Sequence, residues 1–333
     1  MRAIVMTRFG PPDVLQLKEV QKPAPKENEV LIKINATTAF AGDCEIRGLR
    51  VPVEIRLPFM IYGSLMMRRG DFILGQELAG EIESVGKDVT RFKPGDLVFA
   101  AVGFGMGAYA EYKCMPAEPG PMGGALALKP ANMTFEQAAA IPVGGLEALH
   151  FIRQGNIQRG QRVLINGAGG SIGTIALQLA KDSGAEVTAV DSTGKLEMLR
   201  SIGADHVVDY TQEDFTSRGE LYDVIFDVVG KSSFSGSLRS LKPNGRYLLG
   251  NAGMSQKLRA RFASTSGKSI IYGTGRQTAQ DLVFLKGLIE AGKIKSVIDR
   301  SYPLEQMAEA HRYVDTGRKK GNVVITVAHN KQI

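Results

Sequence analysis

The chain has 333 residues, 44% hydrophobic and 23% charged, with net charge +7 and a pI near 9.3. That length exceeds a typical single domain, and the composition is that of a globular protein, which excludes disordered, collagen-like and disulfide-scaffold classes. No apolar run approaches the roughly 20 residues a membrane helix needs, so no membrane partner is expected.

Two cysteines, Cys44 and Cys114, are too few for a disulfide framework or a multi-cysteine zinc site. Basic residues are scattered apart from Arg68-Arg69 and Arg318-Lys319-Lys320, and no nucleic-acid module surrounds them. A solvated surface without a nucleic-acid partner is the expectation, and a modest basic field also suits an anionic cofactor. Met1-Arg2-Ala3-Ile4-Val5-Met6 lacks the apolar core and cleavage site of a signal peptide, so a cytoplasmic protein is expected.

In chain order, the first ~125 residues read as mostly β. Val30, Ile32, Ile34 and Ala36 alternate with Leu31, Lys33 and Asn35 as in a half-buried strand. Leu78 to Val85 is a second strand, and Lys93-Pro94-Gly95-Asp96 is a turn into a third, Leu97-Val98-Phe99-Ala100. Short strands punctuated by Gly and Pro predict a small barrel-like β domain.

Near residue 130 the texture changes. Thr134 and Gln137 have capping-box spacing for a helix over Phe135–Ala140. Strands and helices then alternate: strand Arg162–Ile165, a helix to Lys181, strand Glu186–Val190, helix Lys195–Ile202 and strand His206–Val208. Strand Asp223–Val229, a helix over Phe234–Leu241, and strands Arg246–Leu249 and Ser269–Tyr272 complete the series. Six strands with intervening helices predict a doubly wound parallel sheet. A helix over Ala279–Ala291 and a strand Val323–Val327 then rejoin the first domain.

The most informative stretch is Asn166-Gly167-Ala168-Gly169-Gly170-Ser171-Ile172-Gly173, between the apolar run ending at Ile165 and a helix with one apolar face. That face is Ile172, Ile175, Ala176, Leu179 and Ala180, at i, i+3, i+4, i+7 and i+8. Glycines let backbone approach a diphosphate, and the free N–H groups of a helix start face the anion. Gly170, Ser171, Ile172 and Gly173 are therefore candidate cofactor contacts. Asp191 stands 21 residues past Gly170, where an acidic side chain binds ribose hydroxyls and disfavours a 2′-phosphate.

Over nearly its whole length the chain resembles the medium-chain dehydrogenase/reductase superfamily, specifically its zinc-independent quinone oxidoreductase branch. The residues that carry the resemblance include Met1-Arg2-Ala3-Ile4-Val5, Phe9 to Leu15, and Gly75-Gln76-Glu77-Leu78-Ala79-Gly80. Further along are Phe92 to Val98, Gly107-Ala108-Tyr109-Ala110-Glu111-Tyr112, Ala138 to Pro142 and Gly203-Ala204-Asp205. The resemblance implies a Rossmann dinucleotide-binding domain (131–273) inserted in a GroES-like β domain (1–130 plus 274–333), with the active site in the cleft. It also implies a homodimer through the edge strand Ser269–Tyr272.

Zinc-dependent relatives place a cysteine and a histidine where this chain has Phe40 and Gln76. Phenylalanine has no lone pair and a neutral amide is a poor zinc ligand, so no zinc is expected. Ala168-x-Gly170-x-x-Gly173 occupies the family's fingerprint register. In NADPH-using relatives a lysine and a tyrosine matching Lys195 and Tyr210 hold the 2′-phosphate, with a serine often preceding them, as Ser192 does here. Coulomb arithmetic alone leaves the choice open. Unit charges about 4 Å apart are worth about 4 kcal/mol at an effective dielectric near 20, so Asp191 and Lys195 nearly cancel. Lys195 and Tyr210 together favour NADP(H), while NAD(H) stays open; the competing reading makes Lys195 a solvated helix-start residue and Tyr210 a packing residue.

Val229 and Asn251, at carboxyl ends of strands, resemble residues that bracket the nicotinamide, although ordinary strand-to-helix turns also favour such residues. Glu147 stands where a small hydroxyl residue is usual, and Phe40-Ala41-Gly42-Asp43 replaces Asn-Pro-x-Asp. Phe40, Asp43 and Phe59 are the candidate substrate-binding residues, with the segment Arg47–Asp71 either bordering the substrate or covering the β domain. The implied activity is hydride transfer to a quinone or an α,β-unsaturated carbonyl, with Tyr62 as candidate catalytic donor. An enoyl thioester reductase, or a crystallin-like NADPH-binding protein without turnover, are the alternatives.

Overall fold

The computed structural model describes residues 1–70, 72–120, 123–262, 267–273, 275 and 277–329, with backbone only at 53–55, 255 and 261–262. Asp71 and the expected boundary at 274 fall outside the described residues. Two compact units form: Met1–Val143, Gln277–Glu290 and Ser296–Ile333 make the first, and Gly144–Arg276 with Ala291–Lys295 the second.

The first unit opens with the antiparallel ribbon β1 (Arg2–Met6) and β2 (Leu15–Glu19). Then come β3 (Glu29–Thr38), α1 (Ala41–Arg47), α2 (Val53–Arg69), β4 (Glu77–Val85), β5 (Leu97–Ala101), β6 (Tyr112–Pro116), β7 (Ala125–Leu128) and α3 (Phe135–Ala139). The strand readings at Val30, Leu78 and Leu97 hold. The Thr134–Gln137 capping box is present, with each side chain satisfying the other's backbone N–H. The unit runs through α3 to Val143 because α3 packs on β3, β4 and β5.

The second unit contains most of α4 (Pro142–Gly155), then β8 (Arg162–Asn166), α5 (Ser171–Asp182), β9 (Glu186–Asp191), α6 (Leu196–Ser201) and β10 (His206–Asp209). It continues with β11 (Tyr222–Asp227), α7 (Phe234–Arg239), β12 (Leu241–Leu249), α8 (Met254–Phe262) and β13 (Ser269–Tyr272). The six strands lie in the order β10-β9-β8-β11-β12-β13, all parallel. This is the doubly wound order in which ligands bind at the carboxyl ends beside the central crossover. Val163, Leu164 and Ile165 are fully buried, as expected for a sheet covered on both faces.

The chain returns to the first unit with α9 (Ala279–Glu290), β14 (Ile298–Pro303), α10 (Met307–Asp315) and β15 (Asn322–Thr326). Its seven-stranded sheet has the order β14-β15-β3-β4-β5-β7, with β6 also on β3, around a core that includes Ile32, Ile34, Leu78, Ile82, Val98 and Leu126.

Several boundaries and elements differ from the sequence reading. Leu241 begins a strand rather than ending a helix, and Val228 and Val229 lie beyond β11. Helix α8 has weak apolar periodicity. Helix α10 carries Met307, Ala310, His311 and Val314 at i, i+3, i+4 and i+7, a pattern the reading passes over. The segment after Arg47 forms α2, a helix apolar on both sides: Phe59, Met66 and Met67 pack on the core while Leu57, Ile61 and Leu65 are at least half exposed.

Candidate active site

In the second unit the glycine turn is built by its own backbone. The N–H groups of Gly167 and Ala168 donate to Val190 O (3.0 and 3.1 Å), and that of Gly170 to Gly167 O (3.4 Å). Gly167 has φ +84°, a conformation that favours glycine. Gly173 is required by contact, since a Cβ there would lie 2.3 Å from Gly167 O and 2.6 Å from Ala168 Cα. Gly144 plays the matching part on α4, where a Cβ would fall 2.9 Å from Ser171 O. The N-cap of α5 is Gly170, which has no side chain to satisfy the first-turn donors. The first turn of α5 thus sets its backbone N–H groups at a positive helix end, and a Cβ on Gly170 would meet nothing nearer than 3.7 Å. The donors and the open space fit a dinucleotide diphosphate.

At the adenosine end, Asp191 is buried and accepts from Gly169 N–H (2.8 Å), Ser192 N–H (2.8 Å) and Lys195 Nζ (3.0 Å). Lys195 is 8% exposed, so it is a counter-ion packed into the turn and not a solvated helix-start residue. Gly169, absent from the sequence candidates, makes this packing possible: a Cβ there would lie 2.5 Å from Lys195 Cδ and 2.8 Å from Asp191 Oδ2. Tyr210 is 60% exposed, and its backbone N–H donates to Asp191 O at 3.2 Å. It is therefore not a packed side chain.

The structure brings Val229 and Asn251 to this end of the sheet. A Cβ on Gly167 would lie 2.3 Å from Val229 Cγ2, and one on Gly230 would lie 2.5 Å from Asn251 O. Asp227, also missed, organises these turns. Fully buried, it accepts from Asn166 Nδ2 (3.0 Å), Gly230 N–H (2.8 Å), Tyr247 OH (3.2 Å) and Ser232 OH. The legible signal was a carboxylate at a strand end just before a glycine turn. A polar cavity of about 510 Å³ adjoins, lined in part by Gly230, Ser232, Asn251, Gln256 and Arg259. Glu147 accepts from Gly275 N–H (3.4 Å), and burial raises its pKa.

In the first unit the substrate candidates separate. Tyr62 is 52% exposed and edge-on to Phe72, and Phe59 lies between Phe9 and Phe72 as part of the packing of α2. Asp43, expected at the substrate, is fully buried. It accepts from Tyr109 OH (3.0 Å), Gly75 N–H (3.3 Å) and Gln76 Nε2 (3.3 Å). Burial lifts it to about 6 against the lowering effect of these donors. Behind Tyr109 stands His311, whose Nε2 lies 3.0 Å from the phenol oxygen and whose Nδ1 accepts from Arg47 Nε at 3.2 Å. Since Arg47 can only donate, the neutral ring carries its proton on Nε2 and donates to Tyr109, which leaves the phenol proton for Asp43.

Zinc is a poor fit to this unit. Phe40 offers no lone pair and Gln76 an amide. Glu77 is committed to Thr38 OH and Val143 N–H and is pushed up to about 7 by burial. Among the described residues no three His, Cys, Asp or Glu side chains are placed to hold a metal.

Burial, with Arg47 adding to it, pushes His311 down to about 3. Its folded pKa lies below the ordinary 6.5, so its contribution is complete above 6.5 and is lost as pH falls toward 3. Urea unfolding of wild type and His311→Gln should show the wild-type advantage shrinking by about 1.4 kcal/mol per pH unit below that point. A gap that stays constant from pH 7.5 to 5 would mean that the fold does not lower the His311 pKa.

Residues 26–119 match the alcohol dehydrogenase GroES-like domain, and residues 202–325 the zinc-binding dehydrogenase family. The NADPH-dependent alkenal/one oxidoreductase of Arabidopsis thaliana, a chloroplastic protein, is 32% identical over 98% of this chain and 79% of its own length. A quinone oxidoreductase of Pseudomonas aeruginosa is 30% identical over 97% of this chain and 99% of its own. Among solved structures, the quinone oxidoreductase from Coxiella burnetii superposes with a TM-score of 0.85 at 27% identity, covering 98% of this chain and 99% of that one.

Proposed function

We propose a function from one premise: the chain belongs to the medium-chain dehydrogenase/reductase superfamily, in its quinone oxidoreductase branch. It is an oxidoreductase, and the finer reading is an NADPH-dependent, zinc-independent reductase of quinones or α,β-unsaturated carbonyl compounds. The observation that carries it is the glycine cradle with uncapped first-turn amides on α5, joined to the Asp191–Lys195 pair. When bound, a reduced nicotinamide supplies the hydride.

Asp191 is neutralised by Lys195 and by two backbone donors, so it opposes a 2′-phosphate less than a free carboxylate would. The exposed Tyr210 hydroxyl offers that phosphate a further donor. The acceptor class follows from relatives named for quinone and alkenal/one reduction and from a donor set unsuited to zinc. Quinones are strong hydride acceptors, and for them aligning two planar rings does much of the work. A homodimer through β13, the last strand of its sheet among the described residues, is part of the same reading, as is a cytoplasmic location.

The test is one matrix of NADPH and NADH, each with a quinone, an enone, an enoyl thioester and an aldehyde. NADPH oxidation with quinone or enone is expected. Reduction of the aldehyde alone would overturn the reading, thioester reduction alone would give the thioester alternative, and tight NADPH binding without turnover would give a binding protein. Asp191→Ser should raise the NADPH-to-NADH ratio of kcat/KM about tenfold and Lys195→Ala should lower it about tenfold, the worth of one charged hydrogen bond. A lowered ratio in Asp191→Ser, or an unchanged ratio in Lys195→Ala, would mean that this pair does not select the cofactor.

A further inference from the structure

The Lys and Arg residues are spread along the chain, but the Asp and Glu residues are not. Between Val228 and Gln280 stand nine Lys and Arg and no Asp or Glu, in a chain whose net charge is +7. The excess positive charge therefore belongs to this one stretch, most of which lies in the second unit. The polar cavity of about 510 Å³ falls within it. Its described lining residues all lie between Gly230 and Arg259, so the second unit builds the cavity alone. Gly230 follows the end of β11 and Asn251 the end of β12, the carboxyl side on which such sheets bind ligands.

The protein's own bonds hold this cavity in shape. Gln256 of α8 donates from Nε2 to Gly230 O (3.0 Å) and accepts on Oε1 from Gly253 N–H (3.1 Å), which ties the loop after β11 to the loop after β12. The lining is mostly polar, the reverse of an ordinary ligand pocket, so it suits a hydroxylated molecule better than a flat apolar one. Ser233 Oγ accepts from Gly236 N–H (3.2 Å), which leaves its own O–H to donate. Ser235, Asn251 and Arg259 are exposed, and the Arg259 guanidinium has no acidic partner among the described residues. One carboxylate lies behind the lining. It is Asp227, fully buried and already given four hydrogen bonds. A nicotinamide is neutral when reduced and cationic when oxidised, so a cofactor ring at this end of the sheet gives no reason for an arginine in acid-free surroundings.

We propose that this cavity binds a second ligand besides the dinucleotide, a hydroxylated small molecule that bears an oxyanion (phosphate or carboxylate). Arg259 takes the oxyanion with its planar fork of donors, and Ser233, Ser235 and Asn251 meet the hydroxyls. A volume of about 510 Å³ is that of a small-molecule site and leaves room beyond the oxyanion for a body of sugar size. The neighbouring cations, with no acid between them in the chain, raise the local concentration of such an anion. The site is independent of the reductase reading, because no step of hydride transfer enters it.

The experiment is equilibrium dialysis of the full chain, with saturating NADPH present, against radiolabelled ribose 5-phosphate, gluconate and ribose. One of the two acids should bind at one per chain and at least about tenfold more tightly than neutral ribose, and the tighter of the two names the oxyanion. Arg259→Ala should weaken that binding about tenfold, the worth of one charge-assisted hydrogen bond. Ser235→Asp, which puts an acid into the cavity, should weaken it at least as much. Both residues are exposed, so thermal unfolding and NADPH affinity should stay within about twofold of wild type in each variant. Failure of both acids to bind overturns the proposal, as does binding that NADPH displaces or that Arg259→Ala leaves unchanged. Ribose bound as tightly as the acids overturns it too, since the cavity would then not select charge.

Discussion

Gly173→Ala is expected to raise the dissociation constant for NADPH about 100-fold and to lower the stability of the second unit. The new methyl carbon would sit 2.3 Å from Gly167 O and 2.6 Å from Ala168 Cα, and both are backbone atoms that no rotamer change can move. The turn must open instead, at a cost of about 1–3 kcal/mol for an overpacked contact. The same movement carries the first-turn N–H groups of α5 out of register with a diphosphate, and two powers of ten correspond to about 2.7 kcal/mol.

Gly170→Ala is the informative partner. Its Cβ meets only Gly167 O, at an ordinary 3.7 Å, so the fold should be unaffected while the methyl occupies space left for the anion. The chain has no tryptophan, so titration can follow the cofactor's own fluorescence, with thermal unfolding alongside. Wild-type affinity in Gly173→Ala would mean that the turn does not hold the diphosphate. A large loss of stability in Gly170→Ala would mean that the turn is packed differently.

Arg47→Ala should destabilise the first unit by about 3–5 kcal/mol, whereas Arg50→Ala should cost less than about 1 kcal/mol. The two arginines contact the same carboxylate, Asp315, so the charge removed is identical and the surroundings differ. The Arg47 side chain is 1% exposed and also satisfies Gly10 O and His311 Nδ1. Its loss takes a donor from Gly10 O, leaves His311 Nδ1 only the thiol of Cys44 at 3.2 Å, strips Asp315 of its buried partner and empties a space that a long side chain fills. The Arg50 side chain is 55% exposed, where water competes for both partners. Urea denaturation followed by circular dichroism separates the cases. Equal costs for the two variants would show that burial of Arg47 contributes nothing.

The two sites differ in how far they could be read from the chain. The glycine turn and the charged pair beside it were largely legible, because they are close in sequence: Gly167 to Gly173 form one turn, and Asp191, Ser192 and Lys195 follow within one strand and helix start. What escaped there was Gly169, read as a spacer, and Asp227, whose four donors come from the end of β8, the turn after β11 and a tyrosine of β12. The substrate candidates of the first unit are a different case. Phe59, Tyr62 and Asp43 were chosen for residue type and neighbourhood, and in the fold the first two serve α2 while the third is buried. The network that holds Gln76 joins Asp43 to Tyr109, 66 residues on, and Tyr109 to His311, 202 residues on.

By itself the sequence determined the doubly wound sheet, the β domain and the glycine turn. Each follows from a local property: a period of 2 or 3.6, or glycine where backbone must approach backbone. Only the tertiary structure decided that Lys195 is the buried counter-ion of Asp191, that His311 is neutral with its proton on Nε2, and that Tyr109 and Gln76 both donate to the buried Asp43. Those are matters of burial and direction between groups far apart in the chain. Such contacts leave no periodic trace, because their energy comes from desolvation and partner geometry that exist only once the chain has folded.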